Sequence, residues 1–336
     1  MTPYHYSDGS TPVGLDVGTS RLVAAWPSDG GYTYKSQLNS FVSLPYSKMT
    51  ESVLRKEQVP HSVRGPELLV HGNESERFAD LLGAELRRPM TRGFLNPSEP
   101  DSMPMTQHLL RSLLGPASHA RQKLYFSVPA APIGAHDSLT YHESTLKQVL
   151  GELGYDAVAI NEGLAVIYSE LESSNYSGIG ISIGGGLCNV CMAYLAVPVI
   201  QFSIPKGGDS IDTNAAAVAG EMINRIRMIK EDGFLFNGVA NDKAHQALTV
   251  YYDDMIQSVV QLMREQFRQV KSLPRLGRPI PLVLSGGSTL PGGFLRRFEL
   301  ALRQEDFPVP LAEVRLAREP LNATARGSLI AALSEM

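Results

Sequence analysis

The segment VGLDVGTSRLVAAW, from Val13 to Trp26, contains two short apolar runs separated by Gly18-Thr19-Ser20. Apolar runs joined by a tight turn predict the two strands of a hairpin. A second segment, SGIGISIGGGLCNVCMA from Ser177 to Ala193, repeats the pattern with its turn at Gly184-Gly-Gly186. The two hairpins occupy similar places relative to the elements that follow them. The sequence therefore predicts an internal duplication.

Strands and helices alternate along the rest of the chain. Strands are predicted at Lys123–Val128, Ala157–Asn161 and Ile280–Leu284, and the last of these ends in the turn Ser285-Gly-Gly-Ser288. Helices are predicted at Glu74–Leu82, Glu143–Leu153, Glu162–Leu171, Ile211–Lys230, Asp242–Ser272, Leu290–Gln304 and Ala323–Leu333. The Ser-, Pro- and charge-rich region from Tyr34 to Glu67 has no regular pattern. Two lobes, each a mixed sheet flanked by helices, would bring all three glycine-bearing turns to one cleft.

The bulk composition indicates a globular protein of about two domains. The chain has 336 residues, 43% hydrophobic and 19% charged, with a formal net charge of -4. No dense Lys/Arg block appears, which argues against a nucleic-acid partner. No apolar run approaches the roughly 18 residues needed to span a bilayer, and residues 1–12 lack a signal-peptide core. We therefore expect a cytoplasmic protein.

The two cysteines, Cys188 and Cys191, have the spacing of a redox or metal pair. They lie in an extended apolar stretch, however, and residues three apart in a strand point to opposite faces. Their sulfur atoms would not converge on one metal ion. We interpret them as two small core residues.

The glycine turns suit a phosphate site. Glycine lets the backbone approach a ligand closely, and successive amides can then line a concavity for phosphate oxygens. Thr19 and Ser20 add hydroxyl donors, and Asp16 adds a carboxylate suited to Mg²⁺. Each turn alone is weak evidence, because glycine commonly ends strands, and Asp16 could instead stabilise its turn. Neither a dinucleotide-binding fingerprint nor a phosphate loop of the Walker type is present.

Together these residues resemble the superfamily of actin, the bacterial rod-shape actins (MreB), DnaK-type chaperones and sugar kinases. Residues 13–20 resemble its first phosphate motif, residues 181–186 its second and residues 283–293 its adenosine motif. Ser127-Val-Pro129 and residues 160–165 (INEGLA) are similar to its connecting motifs. The resemblance implies an α/β, two-lobed actin-like fold with duplicated mixed-sheet domains and a nucleotide cleft between them.

Within the superfamily the chain is most similar to the MreB group. The similar segments are residues 69–77, 88–94, 207–212 and 319–327, so the likeness covers nearly the whole chain. It implies a first lobe of residues 1–157 and 318–336, with a smaller subdomain at about 33–87. The second lobe would span residues 158–317, with a smaller subdomain at about 210–275.

The same resemblance implies ATP or ADP as ligand, with Mg²⁺ held at Asp16, although a preference for GTP stays open. The implied nucleotide contacts are Gly18, Thr19, Ser20, Arg21, Gly184, Gly185, Gly186, Gly208, Asp209, Asn224, Arg227, Gly286, Gly287, Ser288 and Thr289. Asn224 and Arg227 stand where the family has an acid and a lysine beside the ribose and base.

Two departures from the family pattern concern hydrolysis. Ser182 stands where the family has an aspartate that orders metal-bound water. The family's water-activating glutamate, counted back from His142-Glu-Ser144, falls on Asp137, and Asp16 would assist it. Asp137 could alternatively cap the following helix. We therefore expect slow ATP hydrolysis, or binding with little turnover.

The resemblance leaves several functions open, because one fold supports many. The first is a cytoskeletal protein that assembles head to tail into ATP-controlled filaments and shapes the cell. The second is a non-polymerising adaptor or scaffold with weak or no ATPase activity, which binds protein partners. A sugar kinase is a third, but the chain has no acceptor-binding insertion. Direct membrane binding is not expected, because the N-terminus lacks an amphipathic helix and the loop at residues 117–122 lacks an apolar tip. Leu113 and Leu114, just before this loop, are expected to end a buried helix.

Overall fold

The computed structural model describes residues 11–134, 139–236, 242–270 and 276–335. Its strands are β1 (Val13–Val17), β2 (Arg21–Ser28), β3 (Gly31–Leu38), β4 (Phe41–Pro45), β5 (His61–Arg64), β6 (Glu67–His71), β7 (Met90–Thr91), β8 (Phe94–Leu95), β9 (Gln122–Val128), β10 (Tyr155–Asn161), β11 (Gly178–Ile183), β12 (Cys188–Tyr194), β13 (Val197–Ile204), β14 (Ile280–Ser285) and β15 (Leu311–Leu316). Its α-helices are α1 (Lys48–Lys56), α2 (Asn73–Leu82), α3 (Ser102–Leu114), α4 (Leu139–Glu152), α5 (Glu162–Glu170), α6 (Gly208–Ala219), α7 (Ile223–Gly233), α8 (Lys243–Gln269), α9 (Phe294–Gln304) and α10 (Ala323–Ser334).

Two five-stranded sheets share one topology. The first sheet has the order β10-β9-β1-β2-β3, and the second has the order β13-β12-β11-β14-β15. In each, a hairpin continues into a third antiparallel strand, and two later strands add in parallel on the other side. The expected α/β fold with duplicated mixed sheets is confirmed, and so are the two hairpins.

The same local hydrogen bond closes the turn of each hairpin. The amide of Gly18 donates to the carbonyl oxygen of Arg21 at 3.1 Å, and that of Gly184 donates to the Leu187 carbonyl oxygen at 3.0 Å. Strand β1 and strand β11 are both almost fully buried, because helices cover both faces of each sheet. The two turns are therefore equivalent points of the duplicated fold.

Helices α5 and α10 form the layer between the two sheets. Backbones meet directly there, because glycines replace side chains at the contacts. A Cβ at Gly327 of α10 would lie 1.7 Å from the carbonyl oxygen of Ala165 in α5, and one at Gly14 of β1 would lie 2.2 Å from the carbonyl oxygen of Ala325. The outer faces are covered by α3 and α4 on the first sheet and by α6, α8 and α9 on the second. This layering brings the turn ends of β1 and β11 towards each other.

The region from Tyr34 to Glu67 is more regular than its composition indicated. It contains most of β3, the strands β4 and β5, and helix α1, and a small sheet of order β4-β6-β5 forms there. A core of apolar side chains from β4, α1 and β6 supports that sheet, among them Val42, Leu54, Leu68 and Val70. The sequence indicated a less regular region because isolated apolar residues here converge only through long-range pairing.

Two predicted helices also differ from expectation. The pattern from Ile211 to Lys230 forms two helices, α6 and α7, because Gly220 ends α6 in the left-handed region with φ of 75°. Helix α9 begins at Phe294 rather than at Leu290, after a short 3₁₀ turn and a bend. Helix α3 ends at Leu114 with Leu113 buried, as the sequence predicted.

The cysteines lie on opposite faces of β12, as predicted. Cys188 packs in the core against α6 and α8, whereas Cys191 packs in the layer that holds α5 and α10. Both are fully buried, and burial raises the pKa of the Cys191 thiol to about 12. Among the described residues, no group of three or more His, Cys, Asp or Glu side chains could hold a metal ion. In the same residues we find no helix with the length and apolarity needed to cross a membrane.

Candidate functional site

A cavity of about 480 Å³ lies where the turns of the two hairpins meet. The turn after β14 and helix α7 complete its walls. Most of the residues singled out from the sequence line it: Asp16, Gly18, Thr19, Ser20, Arg21, Gly184, Gly185, Gly186, Gly208, Asp209, Arg227, Gly286, Gly287 and Ser288. Residues far apart in the sequence are thus brought to one place.

Two other singled-out residues, Thr289 and Asn224, do not line this cavity. Thr289 is fully buried behind the third glycine-bearing turn, which follows β14. Its hydroxyl donates to the Gly286 carbonyl oxygen at 2.8 Å. Asn224 lies in the first turn of α7, beyond the cavity wall. Asp137 lies outside the described residues, so its expected role stays a prediction.

The two hairpin turns touch each other across the cleft. A Cβ at Gly185 would lie 2.2 Å from the Ser20 hydroxyl oxygen, and a Cβ at Gly186 would lie 2.5 Å from the Gly93 amide nitrogen. That amide donates to the Thr19 hydroxyl at 3.0 Å. Only glycine at both positions lets the turns approach this closely.

The carbonyl groups of the triple-glycine turn are held by α6 and by the third turn. The amides of Gly208 and Asp209 donate to the carbonyl oxygens of Gly184 and Gly185 at 3.0 and 2.8 Å. The Ser288 hydroxyl also donates to the Gly184 carbonyl, at 2.9 Å. In a trans peptide the N–H points opposite to the C=O. The amides of Gly185 and Gly186 therefore point away from α6, and such successive amides make an anion-binding concavity.

The third turn is held against the second by a glycine in the left-handed region. Gly286 has φ of 96°, and a Cβ there would lie 2.3 Å from the Ile183 carbonyl oxygen. Its amide donates to the Pro320 carbonyl oxygen at 2.9 Å, which ties the turn to the segment before α10. The adjoining wall is formed by Leu290, Gly292 and Leu321 together with α7.

Two carboxyl groups face each other on the cavity wall. The Ser127 hydroxyl donates to Asp16 Oδ1 at 2.7 Å and accepts the Val17 amide at 2.9 Å. Burial raises the pKa of Asp16 to about 6, although the Ser127 hydrogen bond opposes this. Burial and the negative charge of Asp16 raise the pKa of Glu162 to about 8, against the hydrogen bonds from Ser182 and Asn189. At neutral pH the pair thus carries about one negative charge.

Glu162 was not singled out as a site residue from the sequence. It is the first residue of α5, directly after β10, so its side chain begins at the cavity edge of the first sheet. The amide of Ala130 donates to Asn189 Oδ1 at 3.1 Å, which leaves the Asn189 NH₂ group for Glu162. The sequence did contain a signal for Glu162, because it is an acid at the junction of a strand and a helix within the segment INEGLA.

Three basic side chains surround the cavity wall formed by α6. Arg88 Nη1 donates to Asp209 Oδ1 at 2.7 Å and to the Ser20 hydroxyl at 3.0 Å. Lys230 Nζ lies 2.7 Å from Oδ1 of the fully buried Asp212, and Arg227 Nε lies 3.3 Å from its Oδ2. Arg88 thus joins the first lobe to the second across the cleft.

These cations decide the charge state of Asp209 on α6. Burial acts to raise the pKa of Asp209, but the charges of Arg88, Arg227 and Lys230 outweigh it, and the pKa is lowered. Asp209 is therefore ionised at neutral pH. Its charge is shared between an arginine of the first lobe and two cations of α7.

The face of α7 that lines the cavity consists of Arg227, Lys230 and Glu231. They are spaced three and four residues apart, as side chains on one face of a helix are. Asn224 lies roughly 10 Å along the helix from Glu231, at a rise of 1.5 Å per residue. Lys230 and Glu231 line the cavity but were not singled out from the sequence.

The arrangement fits a nucleotide and a divalent cation. Glycine turns with inward amides suit phosphate oxygens, and the carboxylate of Asp16 beside Glu162 provides oxygen ligands of the kind that Mg²⁺ prefers. Helix α7 and the residues 286–288 and 290–292 line another part of the same cavity.

Comparisons with known proteins agree with this geometry. The sequence model of a family described as Volactin matches residues 12–332. Among solved structures, a MamK double helical filament has a TM-score of 0.73 at 18% identity, covering 97% of this chain and 99% of that one. MreB5 of Spiroplasma citri bound to ADP has a TM-score of 0.65 at 16% identity, covering 96% of each chain. The ethanolamine utilization protein EutJ from Carboxydothermus hydrogenoformans has a TM-score of 0.56 at 14% identity, covering 97% and 91%. None of the curated proteins matches the chain.

Proposed function

The chain belongs to the Volactin family, and on this basis we propose that it is an actin-like cytoskeletal protein that binds ATP and assembles into filaments. The convergence of three glycine-bearing turns on one cavity supports nucleotide binding most directly. The fold is that of the actin superfamily, with a likeness to MamK and MreB5. The lobe boundaries after residues 157 and 317 belong to this proposal.

We assign the phosphates of the nucleotide to the turns of the two hairpins. The amides of Gly185 and Gly186, together with the turn at residues 18–20, would hold phosphate oxygens. Arg88 and Lys230 would offset part of their charge. The ribose and base would lie between α7 and the turn at Gly286–Ser288. The solved MreB5 contains ADP, which is consistent with this assignment.

Mg²⁺ would be held at Asp16, with Glu162 beside it. When bound, the ion would neutralise phosphate charge. Ser182, which stands in the place of a family aspartate, donates a hydrogen bond to Glu162 and adds no charge. The chain thus carries one acid from β1 and one from α5 at the cation position.

Hydrolysis is expected to be slow. Glu162 is a buried acid whose pKa is raised by burial and by the charge of Asp16, and we propose that it orients the attacking water. Burial and the charge of Asp16 raise the pKa of Glu162 to about 8. Because a protonated carboxyl cannot accept a proton from water, only a minor fraction acts as base at neutral pH. Asp137 remains a second candidate for this role.

Filament assembly is proposed from the fold and from the MamK relative, which was solved as a double helical filament. Head-to-tail contacts between identical chains give open polymers when their rotation does not close. We place the protein in the cytoplasm. The sequence and structure are also compatible with an adaptor that lacks turnover, and the neutral Ser182 favours that alternative over an efficient ATPase.

Sedimentation and nucleotide binding test the proposal together. The purified chain above micromolar concentration should pellet with ATP and Mg²⁺ and stay in the supernatant without nucleotide. Asp16→Ala should weaken binding of a fluorescent ATP analogue at least about tenfold in the presence of Mg²⁺, because a charge-assisted contact contributes at least 1.4 kcal/mol. Asp29→Ala, in the distant turn between β2 and β3, is the control and should bind like wild type. Unchanged affinity of Asp16→Ala would remove the cation site from the account.

A chain that binds ATP but never pellets would favour the adaptor. A chain that neither binds nor pellets would exclude both functions.

A further inference from the structure

Three exposed leucines form an apolar rim on the nucleotide cavity. Leu235, Leu290 and Leu321 line the cavity and are 52%, 49% and 39% exposed, and we call these three side chains the apolar rim. They lie around the third glycine-bearing turn. A Cβ at Gly287 would lie 3.6 Å from the Leu321 side chain, and one at Gly292 would lie 2.9 Å from that of Leu235. Apolar side chains around a cavity suit the flat faces of a base.

Tyr252 of helix α8 lines the same cavity beside the apolar rim. Its ring stacks on that of Phe234, with 5.5 Å between the ring centroids, and meets the ring of Phe236 edge to face at 5.2 Å. Leu235 of the rim stands between these two phenylalanines in the sequence. The Phe236 amide donates to the Gly292 carbonyl oxygen at 2.8 Å, which fixes this segment against the third turn. Packing therefore holds the tyrosine ring next to the rim.

The hydroxyl group of Tyr252 is buried without a hydrogen-bond partner. The residue is 0% exposed, and its hydroxyl makes no hydrogen bond within the described parts of the chain. Such a group costs free energy, because it has lost its hydrogen bonds to water and gained none in return. Phenylalanine would fill the same place among the aromatic rings without this cost. An unpaired hydroxyl on a residue that lines a cavity therefore points to a partner on the ligand.

The charges that act on this hydroxyl favour the role of an acceptor. Burial raises the pKa of Tyr252, and the negative charges of Asp212 on α6 and Glu231 on α7 raise it further. The hydroxyl is therefore protonated at neutral pH. The two acids attract its hydrogen, which leaves the lone pairs of its oxygen for another group. A ligand atom that meets this oxygen should be a hydrogen-bond donor.

We propose that the Tyr252 hydroxyl accepts a hydrogen bond from the exocyclic amino group of adenine and thereby selects ATP over GTP. This inference rests on the proposed nucleotide site and names the residue that reads the base. Guanine carries an oxo group in the place of that amino group, and an oxo group can only accept. To pair with guanine, the hydroxyl hydrogen would have to turn away from the two acids. A site that leaves its buried polar group unpaired discriminates against such an analogue.

Two variants and four ligands test the contact. Tyr252→Phe removes the hydroxyl and keeps the ring. The matched control, Tyr251→Phe, makes the same change at the preceding position of α8, which is partly exposed and does not line the cavity. Calorimetry with Mg²⁺ measures the affinities for ATP, for GTP, for purine riboside triphosphate, which lacks the amino group, and for tripolyphosphate, which lacks the whole nucleoside.

We expect Tyr252→Phe to bind ATP about three- to tenfold more weakly than wild type, which is the loss of one neutral hydrogen bond. Its affinities for the other three ligands should stay within about twofold of wild type, because none of them makes this bond. The preference for ATP over GTP should therefore fall by the same factor as the affinity for ATP. Tyr251→Phe should bind all four ligands like wild type. Unchanged tripolyphosphate affinity of Tyr252→Phe excludes misfolding as the cause.

Stability gives a second test. Without nucleotide, Tyr252→Phe should unfold at the same urea concentration as wild type or a higher one, because it removes an unpaired buried hydroxyl. A lower midpoint would show that the hydroxyl has a partner inside the folded chain and would overturn the inference. So would unchanged ATP affinity of Tyr252→Phe, an equal loss with purine riboside triphosphate, or equal affinities of the wild type for ATP and GTP. A wild-type chain that binds neither ATP nor tripolyphosphate would instead overturn the proposed function itself.

Discussion

The carboxyl pair in the cavity predicts an unusual dependence of stability on pH. Glu162→Gln replaces the buried acid by a neutral group of nearly the same shape. In the wild type, burial and the Asp16 charge raise the pKa of Glu162 from 4.5 to about 8. A raised folded-state pKa means that the folded chain binds the proton more tightly than the unfolded chain. The stabilisation is therefore complete below pH 4.5 and is lost as the pH rises towards 8.

The size of the effect follows from the shift. Each pKa unit corresponds to about 1.4 kcal/mol, so the wild type should lose on the order of 2–5 kcal/mol between pH 5 and pH 8 relative to the variant. Urea unfolding without nucleotide or metal gives the free energy of unfolding of each protein at both pH values. The change from pH 5 to pH 8 in the wild type, minus the same change in the variant, is the predicted loss. Glu162→Gln should be much more stable than wild type at pH 8 and much closer to it at pH 5.

An exposed acid provides the control. Glu221→Gln, on the surface between α6 and α7, should shift stability by less than about 0.5 kcal/mol at either pH. Parallel pH profiles for wild type and Glu162→Gln would refute the reasoning, because they would show that folding does not raise the pKa of Glu162.

Three further predictions concern the cleft and the layer formed by α5 and α10. ATP hydrolysis, measured by phosphate release, should accelerate from pH 6.5 to pH 8.5. The reason is that Glu162, whose pKa is raised to about 8, loses its proton over this range. A flat pH profile would exclude Glu162 as the base. Arg88→Ala should speed dissociation of a fluorescent nucleotide about tenfold, because it removes the 2.7 Å ion pair across the cleft, and an unchanged rate would show that this pair does not restrain opening. Gly327→Ala should destabilise the chain by more than about 2 kcal/mol in urea unfolding, because its Cβ would lie 1.7 Å from a backbone oxygen. The control Gly151→Ala, in open space on α4, should be neutral or stabilising. Equal effects of the two substitutions would contradict the close helix contact.

The fold was largely predictable because its signals are local. Apolar runs ending in glycine identified both hairpins and the strand before Ser285, and the repeated order of elements indicated the duplication. The small sheet was not predictable in the same way. Its strands pair with one another and pack over side chains from α1, so no short window shows the pattern.

The site was predictable where backbone chemistry defines it and less so where side chains do. Glycine turns can be recognised directly in the sequence, and fourteen of the singled-out residues line the cavity. The contributions of Glu162 and Lys230 depend on which way a helix faces and on partners far away in sequence. Arg88 meets Asp209 only because the two lobes close on each other. Such long-range pairings have no local signature.

The affinity difference between ATP and adenosine tests the central claim most directly. If amides from the facing turns grip the phosphates, ATP with Mg²⁺ should bind at least about a hundredfold more tightly than adenosine by calorimetry, since several charge-assisted hydrogen bonds are lost with the phosphates. Equal affinities for the two ligands would place the phosphates outside these turns and contradict the account.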